Sequence, residues 1–141
     1  MAMWIGPARP EQRQAVVELW QAAGLTVPHN DPVADFDQAR GREGSDVLVG
    51  MLGARLAGAV MVGHDGHRGW LYYLAVAPEL RGRGHGRALV AAAEAWLAGH
   101  GIRKVQLMVR ADNRAVCGFY ARIGYAEAPV TTLAKWLDPP G

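Results

Sequence analysis

Between Arg81 and Arg87 the chain reads Arg-Gly-Arg-Gly-His-Gly-Arg, with Gly82, Gly84 and Gly86 set among three arginines and His85. These residue types at this spacing suit the binding of phosphate. Glycines let the backbone bend sharply and leave its N–H groups uncovered, and the arginines add positive charge. An apolar, strand-like run from Trp70 to Val76 precedes the turn, and a helix-like run from Gly86 to Ala98 follows it. The first turn of a helix has unpaired N–H groups and the positive end of the helix dipole, and both attract an anion. The expected ligand is the pyrophosphate of a cofactor.

Two common phosphate motifs do not fit. A dinucleotide fold wants G-x-G-x-x-G with an acid about 20 residues on, whereas position 87 here is arginine. The triphosphate loop G-x-x-x-x-G-K followed by Ser or Thr is absent. A basic, flexible surface turn is the alternative, and the strand before and amphipathic helix after it weigh against that. Metal chemistry is not expected: His64 and His67 stand three apart, His29, His85 and His100 are scattered, and there is one cysteine.

The elements that must position the turn can be read from the pattern. Met3 to Gly6 reads as a short strand. Pro10-Glu11 makes a helix start, and Val16, Leu19, Trp20 and Ala23 follow at helical spacing until Gly24. Thr26 to Val33 reads as loop, and Ala34 to Arg40 as a second, weaker helix. Val47 to Leu52 and Arg55 to Val62 read as a hairpin, and Trp70 to Val76 as a third strand closed by Pro78. Leu89, Val90, Ala93, Trp96 and Leu97 form the apolar stripe of the helix after the glycine turn. Lys104 to Val109 reads as strand. Asp112-Asn113 caps a further helix with Val116, Phe119, Tyr120 and Ile123 on its buried face, and two short strands, Tyr125 to Ala128 and Val130 to Trp136, should finish the chain. Pro139-Pro140-Gly141 reads as a loose tail. The fold class is α/β, a mixed and mostly antiparallel sheet with helices on both faces, in which a helical crossover makes the strand near Lys104 a parallel neighbour.

The 141 residues suit one domain, 1–141, with no internal repeat and no linker long enough to divide it. A net charge of +2 is too small to imply nucleic acid. The single Cys117 excludes an internal disulfide and fits a reducing compartment. No apolar run reaches the roughly 18 residues that span a membrane, and the first residues lack the pattern of a signal peptide. No membrane partner is expected, and the cytoplasm is the default location.

The run Leu74-Ala75-Val76-Ala77-Pro78-Glu79-Leu80-Arg81-Gly82-Arg83-Gly84-His85-Gly86 resembles the acetyl-CoA signature of the GNAT N-acetyltransferases. Arg81, Gly84 and Gly86 fill that signature after a strand ending in valine. Asn113 to Tyr125, with Phe119-Tyr120 and Gly124-Tyr125, resembles the family's second motif, and length and element order agree across nearly the whole chain. Asn30-Asp31-Pro32 with Asp65-Gly66-His67-Arg68-Gly69 is similar to a small group of single-domain bacterial members.

The resemblance implies a GNAT fold and an enzyme that moves acetyl from acetyl-CoA to a primary amine, of a small molecule or a protein lysine, by direct attack in a ternary complex. It implies that backbone N–H groups from Gly82 to Arg87, His85 included, cradle the pyrophosphate, with Arg81, Arg83 and Arg87 adding charge or meeting the 3′-phosphate. It implies that Leu74, Ala75 and Val76 hold the pantetheine arm through their backbone, in a gap where this strand and the next splay apart. Asn113 would sit near the cofactor and cap its helix as well. Tyr120 is the catalytic candidate, because a phenol with a pKa of about 10 can protonate the leaving sulfur. Cys117, one helical turn before it, reads as a small core residue. Many family members place a glutamate at the start of the strand before the glycine turn, but Trp70 to Val76 holds no carboxylate. Asp31, Asp65, His64 and His67 are the candidates for the base, through water or directly, or no dedicated base exists. Asn30, Asp31, Asp65, His67 and Tyr72 are the candidate acceptor-side residues, with Trp20 and His29 nearby in the same reading. A protein N-terminus is the alternative acceptor, and a catalytically weak acetyl-CoA-binding module is the alternative function. The apolar run Thr131 to Leu137 and five tryptophans are compatible with a homodimer.

Overall fold

A computed structural model describes residues 2–138, so the tail at 139–141 lies outside the described residues. The chain divides into two compact units, one ending at Leu107 and one beginning at Met108.

The first unit is built on a five-stranded sheet in the order β1 (Trp4–Pro7), β2 (Ser45–Leu52), β3 (Arg55–His64), β4 (Gly69–Val76) and β5 (Val105–Gln106). The first four pair antiparallel, and β5 lies parallel to β4. Parallel neighbours need a crossover, and α3 (His85–Gly99) supplies it. Two helices precede the sheet's central strands: α1 (Arg13–Ala22), entered through a 3-10 turn at Pro10–Gln12, and α2 (Pro32–Ala39).

Strand alternation sends side chains to two layers. Val47, Val49, Ala59 and Ala75 join the core with Val16, Leu19 and Trp20 of α1 and Phe36 and Ala39 of α2. The opposite face carries Leu48, Val60, Val62 and Leu71, all buried, and meets α3. Contact there is close enough that a Cβ added at Gly58 would lie 2.6 Å from Leu89 Cδ1, and one at Gly69 2.6 Å from Leu97 Cδ1. The expected sheet with helices on both faces is therefore what forms. Each fully buried Leu, Val or Phe stabilises the unit by roughly 1.5–3 kcal/mol.

β4 departs from plain pairing. Tyr72 faces Met61 and Ala75 faces Ala59, so Tyr73 and Leu74 together oppose Val60 alone. This is a β-bulge, and Tyr73 within it has a left-handed φ of 56. The bulge bends the strand. The strand expected over Lys104 to Val109 pairs only at Gly69↔Val105 and Trp70↔Gln106.

The second unit contains α4 (Arg114–Arg122), whose expected apolar face is half-buried. The two closing strands expected after it do not form among the described residues. Pro129 has no N–H to give a ladder, and the N–H of Val130 closes a three-residue turn onto the Ala128 carbonyl at 2.8 Å. Leu133 and Leu137 are 90% and 93% exposed.

A further difference concerns α2. The prolines and Asn30-Asp31 read as loop, yet the helix starts at Pro32, because proline suits the first helical position and Asp31 caps it. Its Oδ1 accepts the N–H groups of Val33 at 3.0 Å and Ala34 at 3.3 Å.

Candidate functional site

The glycine turn sits where β4 hands over to α3. After Val76 a 3-10 turn at Pro78–Leu80 reverses the chain, and Arg81 is extended. Gly82 and Gly84 then adopt φ +78 and φ +83, which an L side chain disfavours. Gly84 is the N-cap of α3 and has no side chain to cap it. The first intrahelical bond runs from the Ala88 N–H to the Gly84 carbonyl at 3.1 Å. The N–H groups of His85, Gly86 and Arg87 therefore lack helical partners. A Cβ built at Gly82 or Gly84 would meet no protein atom within 4 Å, so these glycines open onto free space. Arg81, Arg83 and Arg87 are exposed and form no ion pair among the described residues. Donors, open space and uncommitted cations make a site that fits a phosphate.

Leu74, Ala75 and Val76 lead into this turn. Ala75 and Val76 pair with Ala59 and Gly58 on one side. On the other side β5 pairs with β4 no further than Trp70, so the β4 edge from Leu71 onward has no strand partner among the described residues. Free N–H and C=O groups along an extended edge can take an amide-bearing chain.

The acceptor-side candidates separate. Asn30 is exposed and Asp31 is committed to capping α2. Asp65 forms a turn: its Oδ1 accepts the N–H groups of Arg68 at 2.8 Å and His67 at 2.9 Å. Those two bonds, Arg68 first, hold its carboxyl below the usual value, which makes it a weaker base. The His67 side chain is exposed beside Arg68. His64 Nδ1 accepts the Gly66 N–H at 3.0 Å. Tyr72 is 40% exposed and stacks with Trp70, and burial, then the charge of Asp65, raises its phenol.

One group was not legible in the sequence. The Tyr73 hydroxyl donates to Asp35 Oδ2 at 2.7 Å, and its ring stacks on Trp20 with centroids 4.2 Å apart. Burial, the Asp35 bond and the charges of Asp35 and Asp31 push its phenol well up from the ordinary value. No sequence signal marks a tyrosine in an apolar strand as a left-handed residue, and the partner lies 38 positions away.

In the second unit, Asn113 Oδ1 accepts the Val116 N–H at 3.4 Å and so caps α4. Tyr120 meets Phe119 and Tyr125 edge-on, with centroids 5.0 and 5.6 Å apart. Burial raises its phenol from the ordinary value. Cys117 is a half-buried free thiol. Among the described residues no three His, Cys, Asp or Glu stand together as a metal site requires. No helix among them is long and apolar enough to cross a membrane.

Comparison with known proteins gives a consistent result. The profile of the acetyltransferase (GNAT) family matches residues 10–125. An acetyltransferase of Pectobacterium atrosepticum is 40% identical over 129 residues, 92% of each chain. Among solved structures, the aminoglycoside acetyltransferase AAC(6')-Iy in complex with a CoA bisubstrate analogue superposes with a TM-score of 0.81 at 18% identity, covering 96% of this chain and 99% of that one. Glucosamine-6-phosphate N-acetyltransferase of Arabidopsis thaliana gives 0.74 at 18% identity, covering 98% and 100%. With a family match across both motifs and a relative alike over nearly its full length, the chain belongs to the GNAT acetyltransferase family.

Proposed function

We propose that this acetyltransferase takes acetyl from acetyl-CoA and transfers it to a primary amine by direct attack in a ternary complex, with residues 1–141 acting as one N-acetyltransferase domain. The supporting observation is the start of α3, where unpaired N–H groups, Gly82 and Gly84 opening onto free space, and three uncommitted arginines meet at the end of β4.

Acetyl-CoA supplies an activated acyl group whose thiolate must leave. In this reading the N–H groups from Gly82 to Arg87 hold its pyrophosphate, and Arg81, Arg83 and Arg87 add charge or meet the 3′-phosphate. The backbone of Leu74 to Val76 pairs with the pantetheine arm. Asn113 caps α4 near the cofactor, and Tyr120 donates its proton to the leaving sulfur. Asn30, Asp31, Asp65, His67 and Tyr72 belong to the acceptor side. The solved neighbours with aminoglycoside and amino-sugar acceptors favour a small cationic amine over a protein N-terminus. A reducing, cytoplasmic setting suits the free Cys117.

The test has two halves. Acetyl-CoA should raise the melting temperature of the purified protein, and thiol release should follow on adding neamine, spermidine or a lysine peptide. Absence of both effects would remove the proposal. Stabilisation without thiol release would leave a binding module in its place.

A further inference from the structure

An amine acceptor is an ammonium at neutral pH and must lose a proton before its nitrogen can attack. The strand that leads to the glycine turn has no carboxylate of its own. The structure brings one to it from another element. Asp35, on α2, reaches the middle of β4 and accepts the Tyr73 hydroxyl at 2.7 Å. Tyr73 is the residue immediately before Leu74, where the strand proposed to hold the pantetheine arm begins.

The placement is held from three directions. The β4 bulge puts Tyr73 at φ 56, a conformation that costs a bulky side chain about 1–2 kcal/mol. Its ring is stacked on the fully buried Trp20 of α1. Its hydroxyl is fixed on α2 through Asp35. Strain of this kind persists where the surroundings over-determine it, and it concentrates at functional positions. Tyr73 engages one carboxylate oxygen. The other, Oδ1, accepts no hydrogen bond among the described residues and is not one of their sealed, unpaired atoms. Asp31, Asp37 and Asp65 have no hydrogen bond to β4 among the described residues: Asp31 caps α2, Asp37 pairs with Arg13, and Asp65 closes its own turn.

We propose that Asp35 is the catalytic carboxylate that takes the proton from the acceptor's ammonium, and that Tyr73 is the positioning residue that aims it; this rests on the transferase reading above. The first proton passes from the ammonium nitrogen to Asp35 Oδ1. The freed lone pair forms the C–N bond to the acetyl carbon, and the C–S bond breaks with its electron pair remaining on sulfur. The nitrogen's second proton is lost as the amide forms, sulfur takes up one proton, and Asp35 returns its own to water. The charged and titratable groups around Asp35 are Tyr73 on β4, Asp31 at the α2 cap, and the Arg13–Asp37 pair linking α1 to α2.

The test uses Asp35→Asn, whose amide oxygen still accepts the Tyr73 hydroxyl, and whichever of neamine, spermidine or a lysine peptide the wild type uses fastest. Asp35→Asn should keep the heat stabilisation by acetyl-CoA but lose ~100-fold or more in thiol release at pH 7. The deficit should shrink roughly tenfold per pH unit toward pH 9, as the amine supplies its own free base. Tyr73→Phe should show a smaller loss with the same pH trend. A deficit that stays constant with pH, or no deficit, overturns the inference and leaves the transferase reading standing. A wild type that releases no thiol with any of these amines overturns both.

Discussion

Replacing Gly84 by alanine separates what the glycine turn needs for its shape from what it needs for its ligand. The backbone at Gly84 lies at φ +83, and an added Cβ would meet no atom within 4 Å. The cost to the empty protein is therefore conformational alone, about 1–2 kcal/mol. For a chain of this length that lowers the melting temperature by about 3–8 °C. Gly101, just beyond α3, is a matched control, with φ +78 and the same open surroundings, so Gly101→Ala should lose about as much. The two should differ once acetyl-CoA is added. At a concentration of ~100 Kd the wild type gains about 2.7 kcal/mol. A methyl group at position 84 would hold the pyrophosphate away from the α3 donors, and losing one charge-assisted hydrogen bond costs roughly 2 kcal/mol, a ~30-fold loss of affinity. The same concentration then stabilises Gly84→Ala by only about 0.9 kcal/mol, while Gly101→Ala keeps the full increment. Thermal melts with and without acetyl-CoA read both quantities. Equal ligand-induced shifts in the two variants would refute the assignment of the turn as the phosphate site.

Three further outcomes are expected. Tyr120→Phe should slow thiol release by ~100-fold or more with heat stabilisation by acetyl-CoA unchanged; an unaltered rate would remove the acid role. The raised phenol of Tyr73 gives an alkaline signature. Below about pH 10 it is protonated both folded and unfolded, and above that the unfolded chain releases its proton first, so stability falls as pH rises. Melting temperatures measured from neutral to strongly alkaline pH should therefore fall less steeply for Tyr73→Phe than for the wild type. Gly69→Ala would drive a methyl group to 2.6 Å from Leu97 Cδ1 and 2.7 Å from Cδ2, a clash worth about 1–3 kcal/mol. Denaturant titrations should show the double variant with Leu97→Ala less damaged than the sum of the two singles.

Much of the first unit was readable because its signals are local. The glycine turn, the stripe Leu89, Val90, Ala93 and Leu97, and the hairpin at Gly53 each depend on residues a few positions apart, and each appears where the pattern placed it. The parallel β5 followed from the helix between it and β4. The misses share a cause in tertiary context. Val130 to Trp136 has the apolar character of a strand, but a strand also needs a partner, and none pairs with it among the described residues. Asp31-Pro32 carries a cap signal that was outweighed by the loop character of its neighbours. Asp65 is a candidate base by residue type, and the sequence does not show that its Oδ1 accepts two backbone N–H groups. Asp35 and Tyr73 were invisible as a pair, since only the bulge turns that ring toward α2.

That bulge also makes β4 two half-strands of opposite phase. Leu71 and Ala75 are an even number of residues apart and would share a face in a plain strand, yet Leu71 pairs with Val62 and Ala75 with Ala59, which belong to opposite layers. Removing either Tyr73 or Leu74 would leave Leu71 and Ala75 three positions apart, so plain alternation would keep both halves in their present layers. Packing of the two layers therefore does not need the extra residue; what it supplies is the bend in β4 and the placement of Tyr73 against Trp20 and Asp35. A divergent sequence one residue shorter between Leu71 and Ala75 would keep both layers packed and lose only the turned-in position that Tyr73 holds.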